Sequence, residues 1–200
     1  MKVIFLDHDG VICLSSEWGG RLSKQVKFRK KLTASIQSFP IDIRFDKFNK
    51  KAVKVLNEIL EKTDVEIVVS SDWKTFANLK EMGDFYISQG VIKKPIAFTP
   101  SLTLCTWQND EKDFSWDKNF DLELNRVIEI RQFLIDHPEI THWVAVDDLN
   151  LGKEFTKYNG EIIKNKFGLE NFVNTPKSDE GIKQTGIKEK IINFLMDPKN

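Results

Sequence analysis

The chain has only two cysteines, Cys13 and Cys105, far apart and without metal-ligand spacing around them. That leaves no disulfide framework and no sign of a zinc site, as in a reducing compartment. It has no net charge either: 30 basic and 30 acidic residues cancel, so no whole-protein field draws in a polyanion. No apolar run approaches the length needed to cross a bilayer. The first residues lead straight into an apolar segment rather than a signal peptide, and the cytoplasm is the expected location. Internal repeats, low-complexity tracts and linkers are missing, so one domain over 1–200 is expected. What remains is 40% hydrophobic and 30% charged over 200 residues, the make-up of a soluble globular protein with a substantial core.

The most informative stretch is VIFLDHDGV, residues 3–11. Four apolar residues, Val3 to Leu6, run directly into Asp7, His8, Asp9 and Gly10. Such a run is what a strand buried on both faces of a parallel sheet looks like. The acids then sit at its carboxyl end, where open α/β sheets keep their ligand crevices. Strand alternation directs Asp7 and Asp9 to one side and turns His8 away. His8 is expected to pack, with its backbone N–H mattering more than its ring. Gly10 lets the chain turn sharply. Two carboxylates this close repel, which implies a bound cation or a raised pKa. An ordinary strand-to-turn junction also favours Asp and Gly, so the rest of the chain must decide between the two.

Residues 13–45 interrupt the strand–helix rhythm. Ser15, Ser16, Gly19 and Gly20 read as loop. A basic, partly helical excursion with Leu22, Val26 and Ile36 near helical spacing then ends at Phe39-Pro40. Its cations from Arg21 to Lys31 form either a solvated face or a contact for a phosphate-rich substrate. Phe48, Ala52, Val55, Leu56 and Ile59 predict an amphipathic helix. Val65–Val69 is a second β-branched run, and it ends in Ser70, Ser71, Asp72 and Trp73. Residues 73–90 read as an irregular helix that Gly83 interrupts, and Ile92–Phe98 as a short strand broken by Pro95. The polar stretch 101–119 carries Trp107, Phe114 and Trp116 and reads as a long structured loop, lid or packed cover. Asp121 is a candidate cap for a helix with Leu124, Val127, Ile128, Leu134 and Ile135 as its buried stripe, stopped at His137-Pro138. Trp143–Val146 is a third apolar strand ending in acids, Asp147 and Asp148. Residues 150–168 give no clear pattern, Asn171–Thr175 reads as a last strand, and Ile187, Ile191, Ile192 and Leu195 as a closing helix.

In a parallel sheet these strand ends share one edge, which brings Asp7, Asp9, Ser70, Ser71, Asp147 and Asp148 together, with Arg126 early in a helix. A metal cage, a hydroxyl and a fixed cation are what phosphoryl transfer needs. The order of these motifs resembles that of the haloacid dehalogenase-like (HAD) hydrolases: D-x-D-G-V after strand one, an apolar strand ending in Ser, a lone Lys or Arg, then an acidic pair. VVSSDW, the FTP at 98–100, RVIEI at 126–130, AVDD and the late NT…GI stretch are similar to the small HAD domains of Swiss Army Knife RNA repair proteins.

The resemblance implies a Rossmann-like α/β fold, a central parallel sheet with helices on both faces and a small or absent cap. It makes Asp7 the nucleophile that forms an aspartyl-phosphate and Asp9 the general acid and base. Ser70, or failing it Ser71, would hydrogen-bond the phosphoryl group. Arg126 would hold it by charge, with Lys153 and Arg131 as competitors. Arginine there is a bidentate substitute for the usual lysine. Magnesium would bind Asp7, the Asp9 carbonyl and Asp148, with Asp147 supporting Asp148. Asp72 and Trp73 carry no assigned role.

Other readings fit less well. A response-regulator receiver places its acidic pair first, the reverse of this order, and a phosphoryl-carrying pump needs membrane spans. The alternative of another class is a catalytically silent HAD-fold module that binds phosphate or a partner, since fold alone does not prove function. The expected function is a magnesium-dependent phosphatase. Short insertions at 13–45 and 74–120 leave the site open enough for a nucleic-acid end, with a nucleotide or other phosphorylated small molecule nearly as well suited. No membrane partner is expected.

Overall fold

A computed structural model describes residues 1–21, 24, 39–101, 122–152, 155–158, 161–164 and 168–197. Its centre is a five-stranded sheet with every pair parallel, built from β1 (Lys2–Leu6), β2 (Glu66–Val69), β3 (Ala97–Phe98), β4 (His142–Asp147) and β7 (Phe172–Asn174). The strand order is β3-β2-β1-β4-β7, so the sheet is open and β1 is its middle strand. The chain leaves β1 toward one edge and returns through β4 on its other side. That reversal leaves a crevice beyond the carboxyl ends of β1 and β4.

Alternation along β1 divides the core between the two faces of the sheet. Ile4 and Leu6 join Ile67, Val69, Val144 and Val146 under three helices: α2 (Lys50–Thr63), α3 (Leu79–Ser88) and α5 (Ile187–Met196). Val3 and Phe5 face the other way, with Val68 and Ala145, against Val127, Ile130 and Phe133 of α4 (Leu122–Asp136). The fully apolar reading of β1 follows from this double cover. A single helical turn, α1 (Ile41–Arg44), precedes α2.

Local chemistry explains most boundaries. Asn49 caps α2 by accepting from the N–H groups of Lys51 and Ala52, and Asp64 ends it in the left-handed region at φ 52°. Asn78 and Glu81 form a capping box at the start of α3. That helix runs straight through Gly83, contrary to the expected interruption. Gly83 is buried where a Cβ would lie 3.0 Å from the Lys94 side chain, and burial of Met82, Phe85 and Tyr86 offsets the weak helix propensity of glycine. Before α3, residues Asp72–Phe76 form a 3₁₀ turn rather than helix. The Ile92–Phe98 strand shortens to two residues, and Phe172–Asn174 matches the expected last strand.

Two readings of the pattern are corrected. The buried face of α4 is Arg126, Val127, Glu129, Ile130 and Phe133, while Leu124, Ile128 and Leu134 are only half-buried and Ile135 is 71% exposed. The helix is rotated because Arg126 and Glu129 have ionic partners inside. Between 150 and 168, where no pattern stood out, β5 (Phe155–Tyr158) and β6 (Glu161–Lys164) pair antiparallel. The intervening Asn159-Gly160 is a strong hairpin signal in the sequence. The basic excursion beyond Arg21 and Lys24, the loop aromatics Trp107, Phe114 and Trp116, Cys105, Asp121 and Lys153 lie outside the described residues.

Candidate active site

Register fixes which residues meet. Leu6 of β1 is level with Val69 on one side and Val146 on the other, so the next residues, Asp7, Ser70 and Asp147, emerge together. The backbone N–H of Asp7 donates to the Val146 carbonyl (3.1 Å) and that of Ser70 to the Leu6 carbonyl (3.0 Å). Past Asp7 the chain turns at once. The His8 carbonyl accepts from the N–H groups of Val11, Ile12 and Cys13 at 3.2, 3.0 and 2.8 Å. These three bonds to the His8 carbonyl build the turn. The His8 ring is fully buried, 2.7 Å from the Tyr86 hydroxyl and against Trp73 and Phe48. Burial and the Arg126 charge hold His8 down to about 3, so it stays neutral.

Asp7, Asp147 and Asp148 bring carboxylate oxygens within 4.8 Å of one another. Burial pushes the Asp7 and Asp147 carboxyls up, opposed by Arg126. Burial, then Asp7 and Asp9, pushes Asp148 up to about 6. Such a cluster is short of positive charge. Gly10 makes the packing possible: it has φ +71°, and a Cβ there would lie 2.2 Å from Asp148 Oδ2. Asp147 is the more deeply held acid, with Oδ1 accepting from the Leu149 N–H at 2.9 Å. Three carboxylates offering hard oxygen donors at this separation fit a small divalent cation.

Arg126 enters from α4 with its side chain almost wholly buried. Its Nη1 lies 3.0 Å from Asp7 Oδ1 and 3.2 Å from Asp147 Oδ2, and it also donates to the Ser70 carbonyl. Its Nη2 donates to Asp72 Oδ1 at 3.1 Å. Burial opposes its charge, but Asp7, Asp147 and Asp72 outweigh that, so it stays protonated. Of its expected competitors, Arg131 donates to the Gly168 carbonyl at 3.0 Å. The two serines differ. The Ser71 side chain works with Arg126 to hold the Asp7 carboxyl down against burial, whereas the Ser70 hydroxyl is buried without a partner among the described residues.

Residues without a role in the sequence reading complete the shell. Trp73 Nε1–H donates to Asp9 Oδ2 at 2.9 Å, and Arg21 Nη2 stands 3.9 Å from the same oxygen. The buried Cys13 thiol is pushed well up by burial and then by Asp9 and Asp46. Behind Arg126, Lys74 Nζ lies 2.5 Å from Glu129 Oε2 and donates to Thr99 Oγ1 and the Pro100 carbonyl. Asp72, Trp73 and Lys74 share the 3₁₀ turn after β2, and polar residues directly behind Ser70-Ser71 were the available signal.

With this geometry in place, comparison with known proteins is decisive at one level. The family model described as "HAD domain in Swiss Army Knife RNA repair proteins" matches residues 3–171. The chain belongs to that family. No curated protein and no solved structure matches it. The parallel open sheet is the Rossmann-like fold of HAD domains. Membership supports a phosphatase-like hydrolase function in general, and the Asp7–Asp147–Asp148 cluster fits a HAD active site able to hold a metal ion. Among the described residues no helix is long and apolar enough to cross a membrane.

Proposed function

We propose that this protein is a magnesium-dependent phosphomonoesterase that works through an aspartyl-phosphate on Asp7 and acts on a phosphorylated nucleic-acid end or nucleotide. One observation carries the reading: the Asp7 carboxylate sits within 4.8 Å of Asp147 and Asp148 while Arg126 holds its Oδ1 at 3.0 Å. Asp7 thus stands beside both a pair of acids suited to a cation and a fixed positive charge that also contacts Asp147.

Asp7 attacks phosphorus opposite the leaving oxygen. As the P–O bond breaks, its electron pair goes to that oxygen, which takes a proton from Asp9. Water then attacks the aspartyl-phosphate, giving its proton back to Asp9 and releasing phosphate. Asp7, the Asp9 carbonyl and Asp148 would hold magnesium, which would supply charge neutralisation on the phosphoryl oxygens. Arg126, 3.0 Å from Asp7 Oδ1, meets the developing negative charge, and its contacts to Asp147 and Asp72 keep it from swinging away. Of the two serines, Ser70 is assigned the phosphoryl contact, because its buried hydroxyl has no partner among the described residues while its carbonyl seats Arg126. The nucleic-acid part of the proposal rests on the family's description as a HAD domain in RNA repair proteins.

The test is release of phosphate from p-nitrophenyl phosphate with and without magnesium. Wild type is expected to turn over only with the metal, and Asp7→Asn to lose activity altogether. Turnover by Asp7→Asn would reject the mechanism. Substrate is then read by comparing 3′- and 5′-phosphorylated oligonucleotides with mononucleotides. Equal indifference to both oligonucleotides rejects the nucleic-acid end.

A further inference from the structure

We infer that Trp73 is a positioning residue for the general acid: its indole N–H fixes Asp9 so that Asp9 carries its proton on Oδ1, facing the leaving oxygen. The inference rests on the reading above, in which Asp9 protonates that oxygen, and adds a residue and a device to it.

Trp73 is only 1% exposed and is locked by its neighbours. Its ring stacks on Phe45 at 4.7 Å and 12°, and the His8 ring lies 4.6 Å away on its tilted contact. Phe48 packs at 5.9 Å and 23°. A ring held on several sides has no freedom to redirect its N–H, and that N–H points at Asp9 Oδ2 from 2.9 Å. Arg21 closes the arrangement from the outside. Its guanidinium carbon lies 5.5 Å from the Trp73 ring centroid, its Nη2 is 3.9 Å from the same Oδ2, and Asp46 tethers it through the Arg21 N–H at 2.6 Å.

The chemistry follows from what these groups lack. Indole and guanidinium are donors only, with no lone pair to offer. An oxygen facing both of them accepts in either protonation state, so a proton on Asp9 belongs on Oδ1. The bond to Oδ2 also strengthens as Asp9 gives up its proton, since a carboxylate accepts more strongly than a neutral acid. Trp73 therefore orients the acid before the step and stabilises its conjugate base afterwards. A leaving group that departs poorly as an anion, such as a sugar hydroxyl, needs this help. A nitrophenolate does not.

That difference supplies the test. In magnesium, kcat/KM is measured for p-nitrophenyl phosphate and for an alkyl phosphate in wild type, Trp73→Phe, Asp9→Asn and the double variant. Phe keeps the stacking and lacks the donor. The expected result for Trp73→Phe is a loss of about tenfold on the alkyl ester and a much smaller one on the nitrophenyl ester. Asp9→Asn shows the same selectivity more steeply, and in that background Trp73→Phe adds no further selective loss. Should Trp73→Phe fail to fold, benzothienylalanine at position 73 replaces N–H by sulfur in the same shape, and the same selectivity is expected. Equal losses on both esters, or a selective loss that persists without the Asp9 carboxyl, would overturn the inference while leaving the general-acid role of Asp9 standing. No selectivity in Asp9→Asn itself would remove that role, and the inference with it.

Discussion

The residues of the site divide by whether their chemistry or their geometry makes them visible. Asp7, Asp9, Asp147 and Asp148 could be found in the sequence because each follows an apolar run, and a strand end has only one edge to go to. Arg126 was found as a cation near a helix start. Trp73, Asp72 and Cys13 were not, because an indole, an acid in a turn and a thiol acquire meaning only once Asp9 and Arg126 are seen beside them. Gly10 was read for its turn, yet it also makes room for Asp148. Gly10→Ala must place a Cβ 2.2 Å from Asp148 Oδ2 at φ +71°. The expected outcome is a magnesium requirement raised about 10–100-fold and a stability loss of about 1–2 kcal/mol, read by metal titration of activity and by urea unfolding. Arg126→Lys replaces a fork that reaches Asp7, Asp147 and Asp72 with a point charge. A fall in kcat/KM of about 10²-fold is expected, and unchanged kinetics would show that charge alone suffices.

Among the elements, β1, β2, β4 and β7 are legible in the sequence and so is the extent of α4, but the buried face of α4 is not. A helix that buries an arginine and a glutamate shows a misleading apolar stripe, and Arg126 and Glu129 turn Leu124 and Ile135 away from the core. The device holding Glu129 in is the pair with Lys74, whose side chains are 5% and 6% exposed. Because burial works against the Lys74 charge and Glu129 restores it, removing one partner leaves the other uncompensated. Lys74→Met is expected to cost about 3–5 kcal/mol in urea unfolding. Lys74→Met with Glu129→Met should recover much of that, and additive losses would mean that the two do not act as a pair. Since Arg126 and Glu129 share one face of α4, the single variant should also lower activity, and the double variant less so. The β5–β6 pair is hard to read for a different reason: its signal is the Asn159-Gly160 dipeptide in the sequence, not apolar periodicity within the strands.

At the scale of the whole molecule, the sheet concentrates acids at one edge and so sets stability against function. Asp148 is half-buried near Asp7 and Asp9, with its carboxyl pushed up to about 6, so in the absence of metal its negative charge destabilises the fold at neutral pH. A carboxyl whose folded pKa lies above its unfolded value binds protons more tightly in the folded state. Metal-free protein therefore gains stability from this group as pH falls through about 6 toward about 4, the range in which the folded carboxyl is protonated and the unfolded one is not. Asp148→Asn removes the charge outright. In EDTA at pH 7 the variant should melt above wild type, and the gap should narrow as pH falls below about 6 and close only near pH 4, where the unfolded carboxyl is protonated too. Magnesium reverses the order. A cation that binds only the folded chain adds about 2.7 kcal/mol at a hundred times its Kd, which for 200 residues raises the melting temperature by about 5–10 °C. Asp148→Asn should forfeit most of that rise. Thermal unfolding of the two proteins with EDTA and with magnesium gives four melting temperatures whose crossing is the expected signature. If wild type melts higher under both conditions, Asp148 is held by contacts other than a cation, and the metal-binding role given to it fails.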